Sequence, residues 1–354
     1  MDISIIVPTY NEKDSLSQLV EELHRALSGH SYEIIVVDDS SSDGTAELAL
    51  ALSQKYPVKL ISRKNKRGLA SAVVDGLEQA QGKLIGVMDA DLQHPPEVMS
   101  GLVREIEAGA DLAIASRHVE TGGSEGWSLT RRAVSRGAIF LAHLFLPSTR
   151  SIRDPMSGFF LFRREAVRRA DLRPIGYKIL LEVLNAGQFQ KTVEVPYTFR
   201  ARSRGESKLR LRQQADYLAH IYSLMRRNGE LLRFAKFCLV GLSGVVVNMG
   251  LLWLLTEFAG LFYLASAAIS IETSIITNFT LDDYFTFPDR RRAGHFRTRI
   301  LKFNAVSLAG LTINLGILWL LTSVFGIYYL LSNIVGIAVV TLWNYLLNSW
   351  WTWK

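Results

Sequence analysis

Four long apolar stretches near the C-terminus constrain the fold of this chain more than any other feature. They cover about residues 233–256, 261–281, 303–325 and 327–350, and Glu272 is the only acidic residue well inside one of them. Each stretch approaches the ~20 residues that an α-helix needs to cross the hydrocarbon core of a bilayer. A buried all-α domain is the alternative, but the distribution of charge around the stretches favours four transmembrane helices.

The apolar region repeats itself with an offset of 66 residues. The run WLLT occurs at 253–256 and again at 319–322, and Asn248 matches Asn314. Further matched pairs are Lys236 with Lys302, Phe237 with Phe303, Tyr263 with Tyr329, and Asn278 with Asn344. Each repeat is therefore a helical hairpin. Because each hairpin has an even number of spans, the two repeats run parallel in the membrane.

The lysines and arginines lie on one side of these stretches. Those in the loop between the second and third stretches are Arg290, Arg291, Arg292, Arg297, Arg299 and Lys302. The short turns 257–262 and 325–328 contain neither residue type. The positive-inside rule then places both termini in the cytoplasm. We expect a multi-pass protein of the cell membrane, with a cytoplasmic domain over 1–230 and a transmembrane domain over 231–354.

The net charge of +7 raises the question of a nucleic-acid partner. The basic residues cluster beside apolar segments, which favours membrane lipids or a phosphorylated ligand instead. We therefore expect no nucleic acid.

Residues 1–230 alternate short β-branched runs with amphipathic helical segments, which is typical of a mostly parallel sheet wound with helices. Ligands of such sheets bind outside the carboxyl ends of the strands. Polar side chains follow the predicted strands at that edge: Tyr10, Glu12, Asp38, Asp39, Asp89, Asp91, Arg117 and His118. No GxGxxG or GxxxxGK[ST] motif is present, so a Rossmann or P-loop nucleotide site lacks its main support.

The run VMDADLQ ends the fourth predicted strand with two acids one residue apart. In an extended strand, Asp89 and Asp91 project to the same face, where two carboxylates repel each other unless a cation lies between them. Mg²⁺ or Mn²⁺ is held by one or two carboxylates together with substrate phosphates, and Gln93 can add an oxygen ligand. A solvated turn that caps the next helix is the plainer alternative.

Basic side chains elsewhere in this half can hold anions. Arg117 follows the fifth strand, and Lys178 is a weaker phosphate candidate. The segment 127–146 alternates arginines with apolar residues and predicts an interfacial amphipathic helix. Within it, Arg131 and Ser135 lie on one helical face, whereas Arg132 and Arg136 have a solvated basic face as a serious alternative.

Five motifs carry a resemblance to a known family: VPTYNE at 7–12, VVDDSSSDGT at 36–45, DADLQHPPE at 89–97, ASRH at 115–118 and DPMSGFFLFRR at 154–164. Together they resemble the polyprenol-phosphate (dolichol-phosphate) mannose synthases, family-2 glycosyltransferases of the GT-A fold. The membrane half resembles the GtrA-like domain. The resemblance implies an α/β GT-A domain followed by an all-α four-helix transmembrane domain.

The resemblance also implies roles for individual residues. Those expected to hold the guanosine are Pro8, Tyr10, Glu12, Val37 and Asp39. The motif for the metal and the diphosphate matches Asp89, Ala90, Asp91 and Gln93. A basic loop at 199–210 resembles the segment that closes on the diphosphate, with Arg202 and Lys208 as contacts.

The expected chemistry needs no general base. A lipid monophosphate has a second pKa near 6 and is already mostly dianionic at pH 7. His94 and His118 are the nearest candidates for a base, and neither is required. Asp89 and Asp91 would act on the leaving diphosphate through the metal, and Arg117, Arg131 and Ser135 on the acceptor phosphate.

The leading hypothesis is an inverting enzyme that transfers mannose from GDP-mannose to a polyprenyl (dolichyl) phosphate, giving dolichyl β-D-mannosyl phosphate and GDP. A close alternative is transfer of glucose from UDP-glucose, or of an aminoarabinose, to undecaprenyl phosphate. An alternative of another class is a flippase for lipid-linked sugars with a regulatory soluble domain. Intact acids and arginines favour catalysis, and four helices are few for a translocation path.

Overall fold

A computed structural model describes residues 2–64, 68–168, 170–200, 211–291 and 294–354. The chain divides into two compact units, residues 1–227 and 228–354.

The first unit is an α/β structure built on one seven-stranded sheet. The sheet strands are β1 (Ile3–Thr9), β2 (Tyr32–Asp38), β3 (Val58–Ser62), β4 (Leu84–Val87), β5 (Leu112–Ser116), β7 (Phe160–Arg163) and β8 (Thr192–Pro196). Two short strands, β6 (Gly123–Ser124) and β9 (Thr198–Phe199), pair separately. The helices are α1 (Lys13–Ala26), α2 (Thr45–Leu52), α3 (Leu69–Gln79), α4 (Val98–Glu107), α5 (Leu129–Phe145), α6 (Ile179–Ala186) and α7 (Leu211–Arg227).

The sheet order is β3-β2-β1-β4-β7-β5-β8. All neighbours are parallel except β7, which runs antiparallel to both β4 and β5. The expectation of an α/β domain is confirmed, but the sheet is mixed. The run FFLF at 159–162 is apolar throughout and buried, and such a run indicates a central strand without fixing its direction.

Two apolar clusters cover the two faces of the sheet. Ile3, Ile5 and Val7 pack with α1 and α4 on one face, whereas Ile6 packs with α3 and α6 on the other. This alternation follows from the two-residue period of a strand. Burying an aliphatic side chain of this size contributes about 1.5–3 kcal/mol, so the strand ends that carry the polar residues are held rigidly.

The second unit consists of four long helices, each of which ends in a π-helical turn. They are α8 (Glu230–Trp253), α9 (Tyr263–Leu281), α10 (Phe296–Trp319) and α11 (Tyr329–Leu347). With the π-helical turns, the candidate spans are Glu230–Phe258, Tyr263–Thr286, Phe296–Val324 and Tyr329–Thr352. By length and composition each can cross a membrane, which confirms the predicted four-helix part of the fold.

The 66-residue repeat is visible in the packing of the two hairpins. Asn278 of α9 lies against Gly244 of α8, and the equivalent Asn344 of α11 lies against Gly310 of α10. A Cβ atom at Gly310 would lie 2.7 Å from Asn344 Oδ1, and one at Gly244 would collide with Asn278 in the same way. Glycine at both sites therefore allows the helices to approach closely.

A hydrogen bond between α9 and α10 joins the two hairpins at positions where the repeat is not conserved in sequence. Asn304 of α10 donates to Glu272 of α9 at 2.6 Å, whereas the equivalent positions hold Cys238 and Ala338. Glu272, the acid that the sequence singled out, is therefore part of a contact between the second and third spans.

We predict that Gly244→Ala destabilises the helical unit, because the added methyl group has no space beside Asn278. Overpacking of this kind costs about 1–3 kcal/mol. The thermal unfolding midpoint of the full chain in detergent measures the effect. Gly250→Ala is the matched control, since a Cβ at Gly250 meets no atom within 4 Å. Equal midpoints for the two variants would contradict the packing argument.

Candidate active site

A cavity of about 680 Å³ opens outside the carboxyl ends of β4 and β5. Its polar part is lined by Asp89, Asp91, Gln93, Arg117, Arg131, Ser135 and Lys178. Its apolar part is lined by Val134, Ala138 and Leu141 of α5 and by Tyr217 and Leu218 of α7. The cavity therefore joins a charged site to an apolar groove between two helices.

The two acids of the DAD motif lie on a turn rather than on a strand. β4 ends at Val87, so the prediction that strand geometry aligns Asp89 and Asp91 is wrong. The backbone turns instead at Leu92, whose φ is +58°, and the N–H of Gln93 donates to Asp91 Oδ1 at 3.1 Å. The turn nevertheless brings both carboxylates to the same cavity.

Asp89 lies close to both His94 and Gly158. His94 Nε2 lies 3.4 Å from Asp89 Oδ2, and a Cβ atom at Gly158 would lie 3.0 Å from that same oxygen. Burial raises the pKa of Asp89, but the hydrogen bond from His94 and the charges of Lys178 and Arg117 outweigh it and hold the pKa below its usual range. Asp89 is therefore ionised at neutral pH.

His94 lines the cavity and is packed among aromatic rings. Its ring centroid lies 5.6, 5.4 and 5.2 Å from those of Phe159, Tyr197 and Phe199. Only 2% of the residue is exposed. His94 therefore positions Asp89, a role that sequence reasoning missed because the aromatic residues are distant in the chain.

A buried ion pair positions Arg117. Asp154 is fully buried and receives three hydrogen bonds from Arg117, from its backbone N at 3.1 Å, Nε at 2.7 Å and Nη2 at 2.8 Å. Burial raises the pKa of Asp154, but the bonds from Arg117 keep it below its ordinary value. The guanidinium group is therefore locked at the cavity wall.

Trp127 lies between two arginines. The guanidinium carbon of Arg131 is 4.4 Å from the centre of the indole ring, and that of Arg117 is 5.2 Å from it. Cation–π attraction offsets the repulsion between two like charges brought this close. Sequence reasoning did not select Trp127, although its place at the start of the amphipathic segment was a usable signal.

Lys178 is a third cation at the cavity. Its Nζ atom donates to the carbonyl of Met156 at 2.8 Å. Burial and the neighbouring Arg117 lower the pKa of Lys178 to about 8, although Asp89 and Asp154 act in the opposite direction. The amine is still mostly charged at pH 7, and an anionic ligand would raise its pKa again.

The residues predicted for the nucleotide lie at the ends of β1 and β2. Pro8 pairs with Val37 across the two strands, and Tyr10 follows with 39% of its surface exposed. The N–H of Glu12 donates to Thr45 Oγ1 at 3.0 Å.

Asp39, also predicted for the nucleotide, is buried and already has partners. Arg63 Nη1 lies 2.8 Å from Asp39 Oδ1, and the N–H of Gly68 donates to Asp39 Oδ2 at 2.8 Å. Ala90, which the resemblance assigned to the metal and diphosphate motif, packs in the apolar core. Arg202 and Lys208 lie outside the described residues.

Comparison with known proteins agrees with this architecture. The model of glycosyl transferase family 2 matches residues 4–170, and that of the GtrA/DPMS transmembrane domain matches residues 236–353. The dolichol-phosphate mannosyltransferase of Pyrococcus furiosus is 47% identical over 353 residues, which is 100% of this chain and 99% of the relative. The chain belongs to the dolichol-phosphate mannosyltransferase family.

Two less similar relatives match a smaller share of this chain. The dolichol-phosphate mannosyltransferase of Saccharomyces cerevisiae is 37% identical over 63% of this chain and 87% of its own length. The polyprenol monophosphomannose synthase of Mycolicibacterium smegmatis is 36% identical over 58% of this chain and 80% of its own length. The predicted family is confirmed, and the protein is a glycosyltransferase.

A solved structure supports the GT-A fold. The glucosyl-3-phosphoglycerate synthase of Mycobacterium tuberculosis, in complex with Mn²⁺, UDP-glucose and phosphoglyceric acid, superposes with a TM-score of 0.50 at 19% identity. The match covers 63% of this chain and 79% of that one. At this identity the likeness concerns the fold.

In this dolichol-phosphate mannosyltransferase family member, a buried carboxylate fixes α7, one wall of the apolar groove. Glu182 of α6 is fully buried. It accepts hydrogen bonds from Arg227 Nη2 at 2.6 and 2.7 Å and contacts His220 Nε2 at 2.9 Å. Burial raises the pKa of Glu182, but the bonds from His220 and Arg227 hold it below its usual range. The carboxylate therefore remains ionised and ties α7 to the sheet domain.

We predict that Glu182→Gln lowers stability, because it leaves the Arg227 charge without its carboxylate partner. The expected loss is about 3 kcal/mol, the lower end for a broken buried pair, since Arg227 is 30% exposed. Thermal unfolding in detergent measures it, with Glu165→Gln as an exposed control. A variant that melts with the control would rule out the tether.

Proposed function

We propose that this glycosyltransferase transfers mannose from GDP-mannose to a polyprenyl (dolichyl) phosphate and inverts the anomeric centre. The observation that carries the proposal is the single cavity that joins Asp89 and Asp91 to an apolar groove between α5 and α7. A charged nucleotide-sugar donor suits the part of the cavity at Asp89 and Asp91, and a prenyl chain suits the apolar groove. The names of the relatives favour mannose and a polyprenyl acceptor.

The acceptor phosphate would bind where Arg117, Arg131 and Ser135 line the cavity. Because this phosphate is mostly dianionic at pH 7, its oxygen can attack the sugar without losing a proton to the enzyme. Attack on the face opposite the leaving GDP forms the new C1–O bond as the old one breaks, which turns an α-linked donor into a β-linked product. Arg117, held by Asp154, restrains the nucleophile in position.

The donor would lie with its guanosine against the ends of β1 and β2, near Pro8, Tyr10 and Val37. Tyr10 is exposed enough to contact a base. Lys178 lies beside the acids and is available to the diphosphate as a cation. Asp39 is engaged by Arg63 and Gly68, so we assign it to shaping the guanosine site.

The acid turn suits a divalent cation such as Mg²⁺ or Mn²⁺. Asp89 Oδ1 is buried without a hydrogen-bond partner among the described residues, and Asp91 and Gln93 add oxygen atoms at the same cavity. No cluster of three or more His, Cys, Asp or Glu residues occurs in the part of the chain that the structure describes, so substrate phosphates would complete the site. When bound, the metal would neutralise the charge that develops on the departing diphosphate.

The catalytic unit would face the cytoplasm. Near the four candidate spans, the arginines and Lys302 lie at the start of the first span, in the loop between the second and third spans, and at the start of the third span. Such a bias places those ends in the cytoplasm. The helical unit then anchors the enzyme where its lipid acceptor resides.

The donor is tested by incubating the detergent-solubilised full chain with Mn²⁺, a short polyprenyl phosphate and either labelled GDP-mannose or labelled UDP-glucose. We expect a labelled lipid from GDP-mannose alone, detected by extraction and mass spectrometry, and none when the acceptor is omitted. Product from UDP-glucose alone would overturn the proposed donor.

The metal is tested by chelation and by Asp89→Asn and Asp91→Asn. We expect loss of Mn²⁺ binding, measured by calorimetry, and a fall in kcat of about 10²–10³-fold, as when electrostatic stabilisation of a leaving group is removed. Asp171→Asn is the control, because that carboxylate is 70% exposed and pairs only at the surface. Full turnover after chelation would contradict metal dependence.

A further inference from the structure

A second cavity, of about 280 Å³, adjoins the active site. One side of it is formed by His118 and the segment 122–124, and the other by Arg132 and Arg136 of α5. Arg117, Trp127 and Ser135 line both this cavity and the active-site cavity. We call the second cavity the outer basic pocket.

The charge of the outer basic pocket is not balanced by protein groups. Arg132 and Arg136 lie four residues apart on one face of α5, an arrangement in which like charges destabilise a helix. Within the described parts of the chain neither makes an ion pair, and no acidic residue lines the pocket. Arg117 is already paired with Asp154. The pocket therefore suits an anion.

Other features of the pocket suit a phosphate ester in particular. Burial, with Arg117 and Arg136 nearby, lowers the pKa of His118 although Asp154 and Glu194 oppose the shift, so its neutral ring can both donate and accept hydrogen bonds. Ser124 and Ser135 add hydroxyl groups. Arginine is well suited to phosphate because it can bind two oxygens at once.

The same helix offers a surface for lipid. Leu129, Val134 and Phe140 of α5 are 82%, 48% and 63% exposed. A helix with arginines and exposed apolar side chains is suited to the surface of a bilayer. An anion bound in the outer basic pocket would therefore lie at the depth of the lipid headgroups.

We propose that the outer basic pocket is a second phosphate site, which holds the phosphate of the lipid acceptor before it reaches Arg131. The shared residues Arg117 and Ser135 connect the two positions, so the phosphate would remain in contact with a cation as it moves. The inference rests on the proposed function in taking a lipid monophosphate as the acceptor. It goes further in assigning Arg132 and Arg136, which the transfer step does not use.

The double variant Arg132→Gln/Arg136→Gln tests the proposal. With a short polyprenyl phosphate in neutral detergent, we expect the acceptor KM to rise about tenfold, the effect of losing one charge-assisted hydrogen bond. The KM of GDP-mannose should not change. The lysine pair Arg132→Lys/Arg136→Lys should recover part of the loss, because it restores charge without the planar fork. The matched control is Arg25→Gln/Arg168→Gln, which removes two exposed arginines elsewhere in the same unit.

A binding measurement separates this inference from the donor assignment. Calorimetric titration of the full chain with the short polyprenyl phosphate, without any nucleotide sugar, should show the same loss of affinity in the glutamine variant. If GDP-mannose proves to be the wrong donor and this loss is still observed, the second phosphate site stands. An acceptor affinity equal to that of the control would overturn it. A defect confined to vesicles containing anionic phospholipid would also overturn it, since the pocket would then bind bulk headgroups.

Discussion

The ion pair between Asp154 and Arg117 is the interaction on which the arrangement of the site depends. Asp154 is itself fixed, because its backbone N–H donates to Glu194 Oε1 of β8 at 2.9 Å. Arg117 also lies near the indole ring of Trp127, which contacts Arg131 as well. A fully buried carboxylate is costly unless it is well paired and hydrogen-bonded, and here one arginine supplies three hydrogen bonds. The sheet thereby determines where the cations of the cavity lie.

The cavity brings opposite charges close together, with Lys178 and Arg117 near Asp89, which suits an enzyme that joins two anionic substrates. Asp89 and Asp91 concentrate negative charge at the end of β4, where it repels a bare diphosphate and favours one with a metal. Arg117, Arg131 and Lys178 provide the compensating charge for phosphates. Although burial lowers the pKa of Lys178 to about 8, the amine is still mostly protonated at pH 7, so this compensating charge is present before an anion binds.

Much of this could be predicted from local sequence, and most of the failures concern contacts between distant segments. The four spans and the strand ends follow from periodicity and composition, which act over a few residues. The direction of β7 and the contact of Glu182 with His220 and Arg227 depend on segments 38 or more residues apart. The predicted geometry of Asp89 and Asp91 was wrong for a different reason. Because β4 ends at Val87, a rule for extended strands was applied to residues that lie in a turn. The positioning role of His94 was missed because its aromatic neighbours are distant in the chain, whereas Trp127 was overlooked although Arg131, four residues further on, was a usable signal.

The helical unit uses its polar residues to hold helices together, which bears on whether it also moves lipid. Asp283, after α9, accepts hydrogen bonds from Arg299 of α10 at 3.1 Å and from Trp353 Nε1 at 2.8 Å. In the repeat, Arg233 occupies the position equivalent to Arg299 but pairs with Glu230, so the two hairpins are locked by different contacts at their charged ends. Glu272 is likewise engaged by Asn304. A translocation path needs polar groups that face a passage and can exchange partners. Asp283 and Glu272 are instead committed to contacts between helices, and Arg233 to an ion pair within α8. An anchoring role explains the same residues with fewer assumptions.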